Sequence, residues 1–237
     1  MMKDEHLRKA IIAGVIFVVG ACLISQIMFQ MAGGPRDEPM DLSDQLPADW
    51  LGSPMVFEDG LPPFISSGGV FQPEKAVFDI GLGLGGLLMM ALSFEVYQRT
   101  EPVGRKRKVA NVGALISGVI VGFSMFSLPA HPLNTHLMQH IFWAVNIFWG
   151  TQVWLFCLTY ARAELDADVR WKGYSINRIR WSLFATAIFS FQAMTALIST
   201  GHLSESAFFE WTLAFSAEGA LLTLLPALTV APSPSIS

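Results

Sequence analysis

The chain has 237 residues, of which 52% are hydrophobic and 14% are charged, and its mean hydropathy is +0.47. An average soluble domain carries about 25% charged residues, so this composition excludes a disordered chain, a collagen and an ordinary soluble globule. The two cysteines, Cys22 and Cys157, both lie in apolar runs, which excludes a disulfide scaffold. The formal net charge of −4 is less informative about the class of protein than the distribution of the charges along the chain.

Six long apolar stretches follow one another along the chain. The hydrocarbon core of a bilayer is about 30 Å thick, so a spanning helix needs roughly 20 mostly apolar residues. The stretches cover about residues 10–31, 76–97, 109–128, 136–160, 181–200 and 207–230. We therefore predict an all-α polytopic membrane protein, a six-transmembrane-helix bundle over residues 10–230. Residues 32–75 form a long first loop, and residues 231–237 are predicted to be a disordered tail.

The basic residues predict the orientation of this bundle. Of 15 Lys and Arg residues, 13 lie before the first span, between spans two and three, or between spans four and five. Only Arg36 and Lys75 lie in the first loop, which is otherwise acidic. Positively charged loops remain in the cytoplasm, so residues 1–9 and the tail are predicted to be cytoplasmic. The first loop would then be an outer loop of a multi-pass protein in an endomembrane or the plasma membrane.

Small residues recur along spans two and three. In lipid, helices associate through close backbone contact, which small side chains permit. A glycine-rich nucleotide loop is excluded because these glycines lie inside apolar spans rather than after a strand. We therefore expect span two to pack against span three. The residues are Gly81, Gly83, Gly85 and Gly86 in span two, and Ala114, Gly118 and Gly122 in span three.

Ionisable residues within the spans form a first candidate site. Asp79, His136, His140 and Glu210 are expected at similar depth near the outer end of spans two, four and six, and Glu218 lies about 12 Å further along span six. Two histidines with one or two carboxylates could hold a zinc ion. The alternative is a polar cluster that is structural or contacts a ligand, and we favour it because no third histidine has ligand spacing.

The end of the outer loop forms a second candidate site. Ser66, Ser67 and Gly68 follow two prolines and are predicted to make a turn. Their hydroxyls and amides could cap the start of span two or bind a lipid headgroup. Glu74 would lie in the first turn of span two, where the helix dipole favours negative charge.

Three groups of residues form a recognisable combination. They are Pro62-Pro63-Phe64-Ile65-Ser66-Ser67-Gly68-Gly69 followed by Pro73-Glu74 and Phe78; His140, Ala144, Phe148 and Gly150; and Glu210-Trp211. This combination resembles the damage-regulated autophagy modulator (DRAM) family, with its Frag/Sfk relatives and the amino-terminal part of the Cwh proteins. That family has an Ile-Ser-Asp-x-Gly element, a His-led fourth span and a Glu-Trp pair opening the sixth. Ser67 stands where the family element has aspartate.

The resemblance implies a six-span protein linked to autophagy and lysosomes, to remodelling of glycosylphosphatidylinositol lipids, or to lipid distribution between leaflets. We therefore predict a protein that binds or organises membrane lipid or acts in membrane trafficking, without a cofactor and without nucleic acid. Its partners would be lipids, other membrane proteins or further copies of itself. The candidate contact residues are Ser66, Ser67, Gly68, Glu74, Asp79, His136, His140, Glu210 and Trp211.

Two alternatives remain open at this point. One is an intramembrane, metal-dependent enzyme that modifies lipid, with His136, His140, Asp79 and Glu210 around the metal. The other is an accessory subunit of a larger membrane complex. No nucleophile elbow or phosphate-binding loop is present in the sequence to indicate another chemistry.

Overall fold

The computed structural model describes residues 2–50 and 52–229. The chain is 74% helical, and six of the described helices are long and apolar enough to cross a membrane, which confirms the predicted fold class. The predicted tail at 231–237 lies outside the described residues. The six helices are α1 (Asp4–Ala32), α2 (Glu74–Arg99), α3 (Arg105–Ser127), α4 (Leu137–Arg162), α5 (Ile176–Ser199) and α6 (Leu203–Leu222), and a short helix, α7 (Leu224–Thr229), follows α6.

Glycines allow the first three helices to approach closely. A Cβ on Gly86 of α2 would lie 2.4 Å from the carbonyl oxygen of Gly122, and one on Gly122 would lie 2.5 Å from the carbonyl oxygen of Gly86. The predicted contact between spans two and three is thus confirmed. On the other side of α2, a Cβ on Gly81 would lie 2.7 Å from the carbonyl oxygen of Phe17, within the π-helical turn Ile16–Gly20 of α1.

The basic connections all lie at one end of the bundle, here called the inner end. Arg99 at the end of α2 pairs with Asp4 at the start of α1 at 2.5 Å. Arg107 at the start of α3 pairs with Glu164, just after α4, at 2.8 Å. The chain start and the connections after α2 and α4 therefore meet, as the distribution of basic residues requires.

A buried ion cluster fastens the inner ends of α4, α5 and α6. Asp166 accepts bonds from Arg162 at 2.8 and 2.9 Å and from Arg180 at 2.5 Å, and all three residues are almost fully buried. The guanidinium groups also donate to the carbonyl oxygens of Thr223 and Ala227. Those carbonyls lie at helix C-terminal ends, where the dipole is negative and offsets the excess positive charge.

Residues 33–73, here called the outer cap, fold over the opposite, outer end. The cap contains a two-stranded antiparallel sheet of β1 (Met40–Asp41) and β2 (Val56–Phe57). A second such pair, β3 (Arg170–Trp171) with β4 (Tyr174–Ser175), lies in the inner connection before α5. Apolar cap residues pack against the outer ends of α1, α4 and α6 in one buried cluster. Gln45 bonds to both Asn134 and the Leu137 amide at the start of α4, so the predicted loop is a folded cap.

Candidate functional site

Residues 62–69, here called the plug, insert between the outer helix ends. Their last five residues form a 3-10 helix (Ile65–Gly69) that is largely buried. A Cβ on Gly68 would lie 2.5 Å from Ser25 Oγ of α1, so glycine is required for this close packing. The Ser67 hydroxyl donates to the Pro62 carbonyl at 2.6 Å. Within the described chain no side chain caps the start of α2, so the Ser67 hydroxyl stabilises the plug itself and not the helix.

The plug is held by the Glu-Trp pair of α6. The Ile65 amide donates to Glu210 Oε2 at 2.9 Å, and the Trp211 indole donates to the Pro63 carbonyl at 2.9 Å. Two motifs that lie about 145 residues apart in sequence are therefore the two halves of one contact. This contact gives Glu210 and Trp211 a defined structural role at the outer end.

An ion pair closes the base of the outer cap. Arg36 donates to both carboxylate oxygens of Glu74, at 2.7 and 3.0 Å, and to the Gln72 carbonyl at 2.8 Å. Its guanidinium lies over the Phe71 ring, 5.4 Å from the centroid. The hydrogen bond to Glu74 raises the pKa of Arg36 above its ordinary value. The pairing of Arg36 was not predicted from the sequence, although a single arginine in an acidic loop was the available signal.

Asp79 and His136 lie outside this arrangement. Asp79 pairs with Lys75 at 2.6 Å on the same helix, and Lys75 also donates to the Pro129 carbonyl. His136 is exposed and contacts the Thr135 hydroxyl at 2.9 Å. Across residues 2–50 and 52–229, no three His, Cys, Asp or Glu side chains are grouped as metal ligands. Asp79 and His136 of the proposed metal set thus have surroundings of their own.

His140 is buried and has a fixed ring orientation. Its Nδ1 lies 2.8 Å from the His131 carbonyl oxygen. Because a carbonyl oxygen can only accept, Nδ1 carries the hydrogen and Nε2 of the neutral ring is an acceptor. This second nitrogen belongs to a side chain that lines an internal cavity.

That cavity lies under the plug, among α1, α2, α3, α4 and α6, and has a volume of about 110 Å³. A single water needs only roughly 10–15 Å³, so the space holds considerably more. Most lining side chains are apolar. Ser66 of the plug, His140 and Glu210 contribute polar groups, and further from the plug Thr151 of α4 and Glu218 of α6 line the cavity as well. Of the predicted contact residues, only Ser66, His140 and Glu210 reach this cavity.

A scan against models of known protein families gave a match. A family model described as the Frag1/DRAM/Sfk1/Cwh43P N-terminal domain matches residues 11–226. The chain belongs to this family. No match was found among curated proteins or among solved structures.

The Frag1/DRAM family match runs from within α1 to within α7 and so includes all six spans. It also includes both halves of the plug contact, residues 62–69 and the pair Glu210-Trp211. Those motifs carry the resemblance to the family in the sequence, and the structure places them against each other. The cavity could not be predicted from the sequence, because the rotation of each helix about its axis decides which side chains face a shared space.

Proposed function

We propose that this Frag1/DRAM family protein binds a membrane lipid and holds a hydrocarbon chain of that lipid in the cavity beneath the plug. The cavity is the observation that carries the proposal. A void of about 110 Å³ that stayed empty would cost about 3 kcal/mol, at roughly 24 cal/mol per Å³. Predominantly apolar walls disfavour water, whereas the surrounding bilayer supplies hydrocarbon at high local concentration.

The composition of the lining supports a lipid over a polar metabolite. Ligand sites of proteins are mostly apolar with a few polar groups that fix orientation. Here the apolar part includes Phe78, Leu82, Phe148 and Leu213, contributed by three different helices. The few polar groups lie under the plug and along α4 and α6, which suits an amphiphile better than a sugar or a nucleotide.

Filling the cavity with protein atoms tests the proposal. Ala217 lines the cavity, and Ala217→Phe would occupy space that the chain of a lipid needs. The matched control is Ala185→Phe, because Ala185 is exposed on α5. Lipid retained after detergent purification is measured by mass spectrometry of the intact protein.

We expect the wild-type protein and the Ala185→Phe variant to retain stoichiometric lipid, and the Ala217→Phe variant to lose it while remaining folded by circular dichroism. Ala214→Phe changes a second lining position and serves as the test if Ala217→Phe does not fold. Equal retention by all four proteins, or no retained lipid in the wild type, would contradict the proposal.

We also propose that the inner end faces the cytoplasm. The support is the 13 basic residues that lie in its segments, against two in the outer cap and at its base. The sequence contains no Asn-x-Ser/Thr site, so a three-residue site can be inserted between the exposed residues 58 and 59 or between residues 103 and 104. In microsomes, glycosylation at 58–59 alone is expected, and glycosylation at 103–104 alone would reverse the orientation.

A role in membrane trafficking of the autophagy kind, in an endomembrane or the plasma membrane, is proposed on the family membership. Lipid binding in the cavity is the molecular property through which such a role would act. The Ala217→Phe variant therefore tests whether lipid binding is needed for trafficking. In cells that lack the wild-type protein, it should fail to correct a trafficking defect that Ala185→Phe corrects. Correction of the defect by both variants would show that trafficking does not depend on lipid binding in the cavity.

A further inference from the structure

The ionisable side chains that line the cavity offer hydrogen-bond acceptors. Glu210 and Glu218 contribute carboxyl oxygens, and His140 contributes Nε2, since its Nδ1 already donates to the His131 carbonyl. Among the described residues that line the cavity there is no Lys and no Arg. A ligand that enters this space therefore meets two acidic side chains and no cationic Lys or Arg, and the other polar groups are the hydroxyls of Ser66 and Thr151 and the indole of Trp154.

Glu218 is the acceptor whose surroundings in the protein leave it unsatisfied. Glu210 accepts a bond from the Ile65 amide of the plug. Glu218 lies about 12 Å further along α6, and its buried Oε2 has no hydrogen-bond partner among the described residues. A buried acceptor without a donor loses the hydrogen bonds that water would supply. An unpaired acid within the hydrocarbon region is therefore costly, and such residues mark functional positions.

We propose that the cavity selects amphiphiles whose polar group is a small hydrogen-bond donor, a hydroxyl or an amine, and that Glu218 accepts the bond from that group. Long-chain alcohols and long-chain amines have this chemistry, with a hydrocarbon tail that matches the apolar walls. Anionic amphiphiles are disfavoured because their charged head would be buried without a Lys or Arg among the lining residues to pair with it. This inference rests on the proposed function, since it names the class of lipid that the same cavity takes.

Three photoreactive probes with one identical C16 chain, each bearing a mid-chain diazirine, test the selection. Their polar ends are a primary amine, a hydroxyl and a carboxylate. The protein is reconstituted in phosphatidylcholine nanodiscs, irradiated with each probe, and the labelled peptides of α6 and α4 are quantified by mass spectrometry. The variants are Glu218→Gln and Glu218→Leu, and the matched control is Glu205→Gln, an exposed acid on the same helix.

We expect the amine and alcohol probes to label the wild-type protein and Glu205→Gln at least roughly tenfold more than the carboxylate probe, since a buried carboxylate head would have no cation to pair with in a low-dielectric site. Glu218→Gln keeps an acceptor and should retain alcohol labelling while losing any excess of amine over alcohol. Glu218→Leu removes the acceptor and should reduce labelling by both.

The outcomes separate the two proposals. Labelling of the lining residues to the same extent by all three probes, or preferential labelling by the carboxylate probe, would overturn the selection but leave lipid binding in place. Unchanged amine and alcohol labelling in Glu218→Leu would overturn the role of Glu218. Absence of labelling of the lining residues by every probe would overturn the proposed function itself.

Discussion

The Arg36–Glu74 ion pair is expected to keep the base of the outer cap closed, and Arg36→Ala tests this. The Glu74 side chain is 1% exposed and both of its oxygens accept from Arg36, at 2.7 and 3.0 Å. Removing one partner of a buried ion pair costs about 3–5 kcal/mol because the other charge is left unpaired. Since the Arg36 side chain keeps 12% of its exposure, the lower value, about 3 kcal/mol, is expected.

The assay is a double-mutant cycle on the free energy of unfolding in detergent micelles. It compares the wild type, Arg36→Ala, Glu74→Ala and the double variant, and a coupling energy of about 1 kcal/mol or more is expected. Lys9→Ala is the matched control, because the Lys9–Glu5 pair has a similar distance, 2.6 Å, but side chains that are 72% and 73% exposed; its stability should not change measurably. Additive effects of the two cap substitutions would refute the reasoning.

Two further substitutions test the packing of the bundle. Gly86→Ala should destabilise the protein by about 1–3 kcal/mol, because the new Cβ would lie 2.4 Å from the Gly122 carbonyl oxygen. In the control Gly83→Ala the new Cβ meets no atom within 4 Å, so this variant should be neutral or slightly stabilising in the same unfolding assay. Asp166→Asn should lower the free energy of unfolding by about 3–5 kcal/mol, because it leaves the fully buried Arg180 without an anionic partner. A melting temperature equal to that of the wild type would contradict this prediction.

The features that the sequence predicted correctly are those with a local or periodic signal. Six apolar stretches of the right length predict six spans because a bilayer core has one thickness. The contact between α2 and α3 was predictable because small residues recur along both spans, with Ala114, Gly118 and Gly122 at four-residue spacing in α3, and small residues allow backbones to approach closely. The shared end of the basic connections follows from the positive-inside rule.

The features that were missed depend on contacts between distant residues. Arg36 and Glu74 are 38 positions apart, and nothing in the local pattern pairs them. The proposed metal set had a similar depth in each span, but depth does not determine which way a side chain points. Asp79 therefore pairs with Lys75 on its own helix while Glu210 faces the plug.

A density map of the protein in lipid nanodiscs, determined by cryo-electron microscopy, tests the central claim most directly. The cavity under the plug is predicted to contain continuous, elongated density that runs between Phe78 and Leu213 and ends within hydrogen-bond distance of Glu218. A cavity closed by repacked side chains, or one that contains only isolated water-sized density, would contradict the claim that this protein holds a lipid chain.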